Sequence, residues 1–417
     1  MTSPVRVAVA VATIVLTSLV AGTAWAAPPQ NYDQEAVGKL NAANSVETVR
    51  HLAVDIGPRR SATPEERAAG EYLKGVLEGY GFTARLIDVP FIGTRNTAKV
   101  TSPNATLPNG PNWQMSSSVS GKLTGSGPPV EAAVVYAGTG ATPADFPADT
   151  TGKIVLMDQS TSTAGRNTQV ANAVAAGAVG VILGNTANNS APTTTITITP
   201  TYPNVPIVGG GRAHLDWIKG LLTAGPLTLS LVTNSYVNHP RTVVEGIRHA
   251  VGDPAGTSAP IVSIGAHIDS VLGAPGAHDD ATGNGSTIEI ARVLSQMPLD
   301  KEIRVGGYGG EEDGLVGARY YVNNVLTAAE KARYVGHWQM DMVGTPYPPA
   351  EFWALVPNGT TNLVVDEGYA AATRAGFSGM QNCLLARATT RRTGTPASPR
   401  RCSSGSTTGS PCSRARA

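Results

Sequence analysis

IVSIGAHID, residues 261–269, is an apolar run, interrupted by one serine, that ends in two side chains able to serve a metal ion. Residues 261–266 carry no charge, which predicts a strand that is buried on both faces of a sheet. His267 and Asp269 follow at the end of this strand, where open parallel sheets bind their ligands. This stretch therefore predicts an α/β fold with a polar site at one edge of the sheet.

The chain on either side of this stretch alternates between predicted strands and predicted helices. Further strands are predicted at residues 303–308 and 334–340, and helices at residues 287–294, 314–325 and 362–375. This alternation is typical of a mostly parallel mixed sheet with helices on both faces.

Acidic side chains follow the other two predicted strands, and another acidic pair comes twelve residues after His267. These candidates are Glu311, Glu312, Asp341, Asp279 and Asp280. Two divalent metals roughly 3.5–4 Å apart need a bridging carboxylate and terminal histidine or carboxylate ligands, a donor set that suits zinc. Of two adjacent glutamates, one can bind a metal while the other accepts a proton from water.

Each of these motifs alone also has a purely structural interpretation. The pair Asp279 and Asp280 could cap the helix that follows it, and the acidic run at residues 311–313 could be a solvated turn. Asp341 lies between apolar residues, where an unpaired buried carboxylate is unfavourable. Four such motifs at three strand ends favour a functional site over four coincidences.

The N-terminus has the pattern of a secretory signal peptide. Arg6 precedes an apolar run at residues 7–22, and Ala24-Trp25-Ala26 follows as a cleavage site of small residues. The run is too short to span a membrane comfortably. We therefore expect cleavage after Ala26 and a secreted, extracellular protein that does not stay with the membrane.

The mature chain divides into two kinds of sequence before residue 386. Residues 27–114 and 236–385 are expected to form a catalytic α/β domain, with Thr63 and Glu66 as the capping pair of a helix that begins at Pro64. Residues 115–235 are rich in Ser, Thr, Gly, Pro and Asn and contain short β-rich runs. They predict an inserted β-rich domain.

Composition excludes several classes of protein. The net charge is only +1, so we expect no nucleic-acid partner. Three cysteines, all after residue 382, exclude a disulfide scaffold and a cysteine zinc finger. Residues 386–417 carry seven arginines and no acid, and they differ in composition from the rest of the chain.

Three motifs taken in order resemble the metal motifs of the M28 family of co-catalytic zinc peptidases. They are GAHDDATG at residues 276–283 together with the opening stretch, GEEDGLVG at residues 310–317, and MDMVG at residues 340–344. IGPR at residues 56–59 is similar to the N-terminal part of secreted bacterial aminopeptidases of this family. Residues 115–235 resemble a protease-associated (PA) domain, through GKIVL at residues 152–156 and AAGAVGV at residues 175–181.

The resemblance implies a role for each candidate residue. His267 would bind one zinc ion, Asp279 would bridge two, and Glu312 and Asp341 would bind the other. Glu311 would be the general base for a zinc-activated water, and Asp269 would orient His267. We therefore expect a monomeric secreted aminopeptidase with two zinc ions that acts on peptides or proteins.

The chain departs from the family after Leu385. The family supplies a fifth ligand, a late histidine, but no histidine follows His337 here. Residues 386–417 contain no aliphatic residue larger than alanine, no aromatic residue and no acid, which indicates either a natural tail or a frameshift near residues 385–387. A zinc-impaired protein that binds partners through its PA domain therefore stays an alternative, as does carboxypeptidase or glutaminyl cyclase chemistry on the same fold.

Overall fold

A five-stranded mixed sheet is the centre of the computed structural model, which describes residues 29–187, 192, 195–344, 352–357, 362–376 and 380–385. Its strands, in spatial order, are β1 (Thr83–Val89), β9 (Arg241–Arg248), β11 (Glu302–Tyr308), β10 (Ile261–His267) and β12 (Tyr334–Gln339). β10 runs parallel to both of its neighbours, whereas β9 runs antiparallel to β1 and β11. Every residue of β10 is buried, as expected for an apolar central strand. β13 (Phe352–Pro357) and β14 (Met380–Leu385) form a separate parallel pair.

Helices cover both faces of the central sheet, which confirms the predicted fold class. They are α1 (Pro29–Lys39), α2 (Ala42–Arg50), α3 (Pro64–Gly79), α6 (Ala281–Ser295), α7 (Val316–Tyr320), α8 (Ala328–Arg333) and α9 (Leu363–Arg374). Leu77 of α3 and Ile290 of α6 belong to one core cluster with Val262 of β10. On the other face, Tyr321, just after α7, packs in a cluster with Tyr308. Each helix that the structure describes is too short or too polar to cross a membrane.

The start of α3 differs from the predicted capping box. Thr63 is the N-cap, but its hydroxyl donates to the carbonyl of Arg60 at 2.7 Å and does not cap the helix. The carboxylate of Glu66 accepts instead from the backbone N–H of Ala62 at 2.9 Å and of Thr242 in β9 at 3.3 Å. Both bonds go to Oε2, so the fully buried Glu66 joins the residue before the N-cap to the neighbouring strand β9.

The second part of the fold is a closed seven-stranded barrel. Its strands are β2 (Thr94–Thr101), β3 (Trp113–Ser117), β4 (Val130–Tyr136), β5 (Ile154–Asp158), β6 (Gly180–Gly184), β7 (Ile207–Gly210) and β8 (Thr228–Val237), with the helices α4 (Thr163–Ala175) and α5 (Arg212–Ala224). The barrel begins at Thr94, earlier than the boundary expected at residue 115. β2 carries Arg95 and Lys99 and has no apolar run, and it gains its place by pairing with the distant β8, which local pattern does not reveal.

Candidate functional site

The candidate site lies at the carboxyl ends of β10, β11 and β12. His267 is the last residue of β10, and Asp341 comes two residues after the end of β12. Glu311 and Glu312 lie in the loop that follows β11. Because β10 lies between β11 and β12, these three strand ends are adjacent, as is usual for ligand sites of parallel sheets.

Three of the predicted ligands meet at one point. His267 Nε2 lies 2.9 Å from Asp279 Oδ1 and 3.9 Å from Asp341 Oδ1. One ligand atom from each of the three residues lies within 4.8 Å of the other two. The imidazole is 1% exposed, whereas the side chains of Asp279 and Asp341 are 47% and 39% exposed, so this group is open on its carboxylate side.

The grouping of Asp341 differs from what the resemblance implied. Asp341 was expected to share a metal with Glu312, but the structure places it with His267 and Asp279. Glu312 is not in that group of three, although the charge of Asp279 acts on its carboxyl. Both β11 and β12 pair with the strand that carries His267, so the grouping depends on where each side chain lies beyond its strand end and not on strand order.

Asp269 is fully buried, and it contacts both the histidine and the glutamate loop. His267 Nδ1 lies 3.1 Å from the backbone carbonyl oxygen of Asp269 and 3.5 Å from its carboxylate. The same carboxylate accepts the backbone N–H of Glu311 at 3.0 Å and of Glu312 at 3.3 Å. Asp269 therefore fixes the ring of His267 and also anchors the loop that carries both glutamates.

Asp280 caps the helix that follows it, which is the structural interpretation given above for the acidic pair. Its buried carboxylate accepts from the N–H of Gly283 at 2.8 Å, which caps α6. It also accepts from the N–H of His267 at 3.2 Å and of Met342 at 3.1 Å. Asp280 thus holds three segments of the site together, while Asp279, joined to it by a cis peptide bond, faces the histidine.

His278 lies directly before Asp279 in the loop that precedes α6. Its Nε2 lies 3.1 Å from the backbone carbonyl oxygen of Met342. This contact joins the loop before α6 to the segment after β12 and occupies one ring nitrogen of the imidazole.

The charges of the site favour a bound cation. Burial, with the charge of Asp279 next, raises the pKa of Glu312 to about 7, and burial also raises the pKa values of Glu311 and Asp341. Burial lowers the pKa of His267, but hydrogen bonds to Asp269 and Asp279 outweigh it and raise that pKa to about 12. Crowded carboxylates of this kind are stabilised by a divalent cation.

Arg59 is a supporting residue that sequence reasoning recognised only as part of a motif. Its side chain is fully buried, and burial lowers its pKa to about 10. The guanidinium donates to five backbone carbonyls, those of Leu52, Gly57, Ile268, Pro275 and Gly276, at 2.7–3.1 Å. Gly276 has a φ of +59°, and a Cβ there would lie 2.7 Å from this guanidinium. Arg59 therefore shapes the loop between Asp269 and Asp279.

We expect Arg59→Leu to lower the free energy of unfolding by about 3–5 kcal/mol, because it leaves buried carbonyl groups without a donor and removes a positive charge that interacts with Asp269, Asp279 and Asp280. Urea unfolding followed by circular dichroism measures this loss. Arg212→Leu, which removes an exposed arginine paired with Asp216, is the control and should change stability by less than about 1 kcal/mol. A similar small effect for both variants would contradict the role given to Arg59.

Comparison with known proteins agrees with this geometry. Residues 250–393, which hold all the candidate site residues, match peptidase family M28, and residues 125–218, within the barrel, match the PA domain. Aminopeptidase YwaD of Bacillus subtilis is 34% identical over 238 residues, which are 57% of this chain and 50% of that protein. An aminopeptidase of Pseudomonas aeruginosa is 28% identical over 325 residues, which are 74% of this chain and 58% of that protein.

One similar solved structure is that of BSAP, a zinc aminopeptidase from Bacillus subtilis. The alignment covers 83% of this chain and 79% of the BSAP chain, with 26% identity and a TM-score of 0.48. The chain spans about half the length of the curated relatives that it matches. The PA match lies within the barrel, and the M28 match contains all three metal motifs. The chain therefore carries a segment that matches peptidase family M28 and, before it, a segment that matches the PA domain.

Proposed function

We propose that this protein is a secreted metallo-aminopeptidase that removes N-terminal residues from peptides. The observation that carries the proposal is the convergence of His267, Asp279 and Asp341 beside the loop of Glu311 and Glu312. The names of the relatives in Bacillus and Pseudomonas, both aminopeptidases, support the same reaction.

Two zinc ions fit the donor set. His267, Asp279 and Asp341 supply one nitrogen and two oxygen donors, the number of protein ligands that a catalytic zinc uses. Asp279 and Glu312 would hold the second ion with one protein ligand fewer. Zinc, when bound, supplies Lewis-acid polarisation of the peptide carbonyl and activation of water.

The remaining side chains move the proton and bind the substrate. Glu311, whose pKa is raised by burial, would accept the proton of the attacking water and pass it to the leaving amine. Asp269 would keep Glu311 in place through the backbone N–H of that residue. The excess of carboxylates favours a substrate with a positively charged N-terminal amine.

Localisation and assembly belong to this proposal. The signal-peptide residues 1–26 lie outside the described residues, as do residues 386–417 with the suspected change of frame. We propose export after cleavage at Ala26, a monomer in solution and no nucleic-acid partner. We also assign the barrel as the inserted PA domain and the segments on either side of it as one catalytic domain.

One alternative function has an observation in its favour. Among the described residues, His267, Asp279 and Asp341 are the only metal-binding group of three. This single group could hold one ion, whereas the proposed reaction uses two. A zinc-impaired protein that binds partners through its PA domain would need no second ion.

Four substrates separate the candidate reactions. The purified protein with added zinc should release p-nitroaniline from Leu-p-nitroanilide, and 1,10-phenanthroline should abolish this activity. It should not cleave N-acetyl-Leu-p-nitroanilide, release the C-terminal residue of an N-acetylated peptide or cyclise an N-terminal glutamine. Turnover of either acetylated substrate or of the glutamine peptide would contradict the aminopeptidase assignment, and no turnover of any substrate would favour the binding protein.

A further inference from the structure

Five residues form a cluster where the two linkers between the sheet and the barrel meet the glutamate loop. This hinge cluster consists of Ser61, Phe91, Arg95, Arg241 and Asp313. Phe91 lies in the linker from β1 to β2, Arg95 in β2 of the barrel, and Arg241 at the start of β9 in the sheet. Asp313 directly follows Glu311 and Glu312.

The carboxylate of Asp313 binds both arginines of the hinge cluster. Its Oδ2 accepts from Arg241 Nη2 at 2.8 Å and from Arg241 Nε at 3.2 Å, and it also contacts Arg95 Nη2. The side chains of Arg95 and Arg241 are only 12% and 10% exposed, so water and salt screen this charge pairing weakly. One carboxylate on the glutamate loop therefore joins a strand of the barrel to a strand of the sheet.

The rest of the hinge cluster holds both arginines in these positions. Arg95 Nε donates to the backbone carbonyl of Ser61 at 2.9 Å, and Arg241 Nε donates to the Ser61 hydroxyl at 2.9 Å. The two guanidinium carbons lie 4.4 and 4.6 Å from the centre of the Phe91 ring. Aromatic stacking and these hydrogen bonds reduce the freedom of both side chains before they bind Asp313.

The glutamate loop is thus held from two sides. Asp269, on the sheet side, binds the backbone N–H groups of Glu311 and Glu312. On the hinge side, Gly310 has a φ of +73°, and a Cβ there would lie 2.6 Å from Arg241 Cδ. The loop therefore packs directly on the arginine that binds Asp313.

We propose that Asp313 is a positioning residue that fixes the Glu311–Glu312 loop. Through its contact with Arg95, Asp313 makes the position of this loop depend on where the barrel lies relative to the sheet. This inference rests on the proposed function, since it assigns Glu311 to catalysis. A shift of the barrel that separates Arg95 from Asp313 would leave the loop with its sheet-side anchors alone. The barrel would then act on catalysis without contacting the substrate.

Kinetics of four variants and one control test this link. Asp313→Asn should lower kcat for Leu-p-nitroanilide by about 10- to 100-fold, because a small displacement of a catalytic group has effects of that size. Zinc content and KM should change less than about twofold, since no ligand is removed. Arg95→Gln should also lower kcat, and Arg95→Lys should recover part of that loss. The double variant that combines Arg95→Gln with Asp313→Asn should be no slower than Asp313→Asn alone. Asp88→Asn, which removes the exposed partner of Arg67, is the matched control.

Hydrogen exchange tests the same link without any need for activity. The N–H groups of Gly314, Leu315 and Val316 donate within the loop, to the carbonyls of Glu311 and Gly310. They should exchange about tenfold faster in Asp313→Asn and in Arg95→Gln than in the parent or in Asp88→Asn, while core strands stay unchanged. If the parent shows no turnover, the proposed function fails but this exchange result still judges the link. Unchanged loop exchange in Arg95→Gln, or losses in kcat that multiply in the double variant, would overturn the proposal.

Discussion

Glu311→Gln should lower kcat for an N-terminal leucine substrate by about a thousandfold, because a neutral amide cannot accept the proton of the attacking water. The zinc content per chain should equal that of the parent, since Glu311 is not one of the three converging ligands. Steady-state kinetics and metal analysis of the same preparation measure the two quantities. A loss of kcat with unchanged zinc content indicates a general base, whereas a loss of both indicates a metal ligand.

Glu47→Gln is the control for this experiment. Glu47 is an exposed glutamate that pairs with Arg50, far in sequence from the site, so the substitution should leave kcat and zinc content unchanged. Loss of zinc from Glu311→Gln in parallel with loss of turnover would show that Glu311 binds metal and would refute its assignment as the base.

Asp279→Asn should remove activity down to background and strongly reduce zinc binding. Asp279 lies 2.9 Å from His267 Nε2, and the proposed function makes it the one ligand that both metals share. An amide oxygen is a much weaker zinc donor than a carboxylate. Isothermal titration with zinc measures the loss. Zinc affinity equal to that of the parent would exclude Asp279 as the bridge.

Asp280 offers a contrast on the adjacent residue. Asp280→Ala leaves the buried N–H groups of His267, Gly283 and Met342 without their acceptor. We expect this variant to lose about 3 kcal/mol or more of its free energy of unfolding, whereas Asp279→Asn, at a half-exposed position, should unfold close to the parent. Equal stability of both variants would contradict the division of roles within the pair.

Much of the fold could be predicted because its signals are local. The apolar run of β10 is one such signal, because the residues that define it are neighbours in sequence. The same holds for the polar residues at the end of each strand and for the start of α3 at Pro64. The positions of side chains beyond three different strand ends are not a local property, so the sequence did not reveal that Asp341, and not Glu312, groups with His267 and Asp279. The same reason applies to β2, which enters the barrel only through its pairing with β8.

The supporting residues were harder to predict than the ligands. Arg59 and Asp280 bind mainly backbone groups of distant segments, and these contacts leave no mark in the spacing of side chains. In the sequence, Asp313 is only a part of the Glu-Glu motif or of its alternative, a solvated acidic turn, whereas its partners in the structure are arginines from two other strands. Glu66, expected to form a capping box with Thr63, accepts instead from the N–H of Ala62 and from that of Thr242 in a neighbouring strand.

The placement of Asp341 changes the expected consequence of the missing late histidine. The resemblance gives the zinc of His267 only two protein ligands, His267 and Asp279. With Asp341 beside it, that position would have three protein ligands, and the position proposed beside Glu312 would have two. We now expect the first zinc to bind tightly and the second to be depleted or weak.

Anomalous diffraction at the zinc edge, from crystals grown with zinc, tests the central claim most directly. We expect a strong peak between His267 Nε2 and the carboxylates of Asp279 and Asp341, with a weaker peak or none beside Glu312. No peak at His267, or zinc bound only at other residues, would contradict the account.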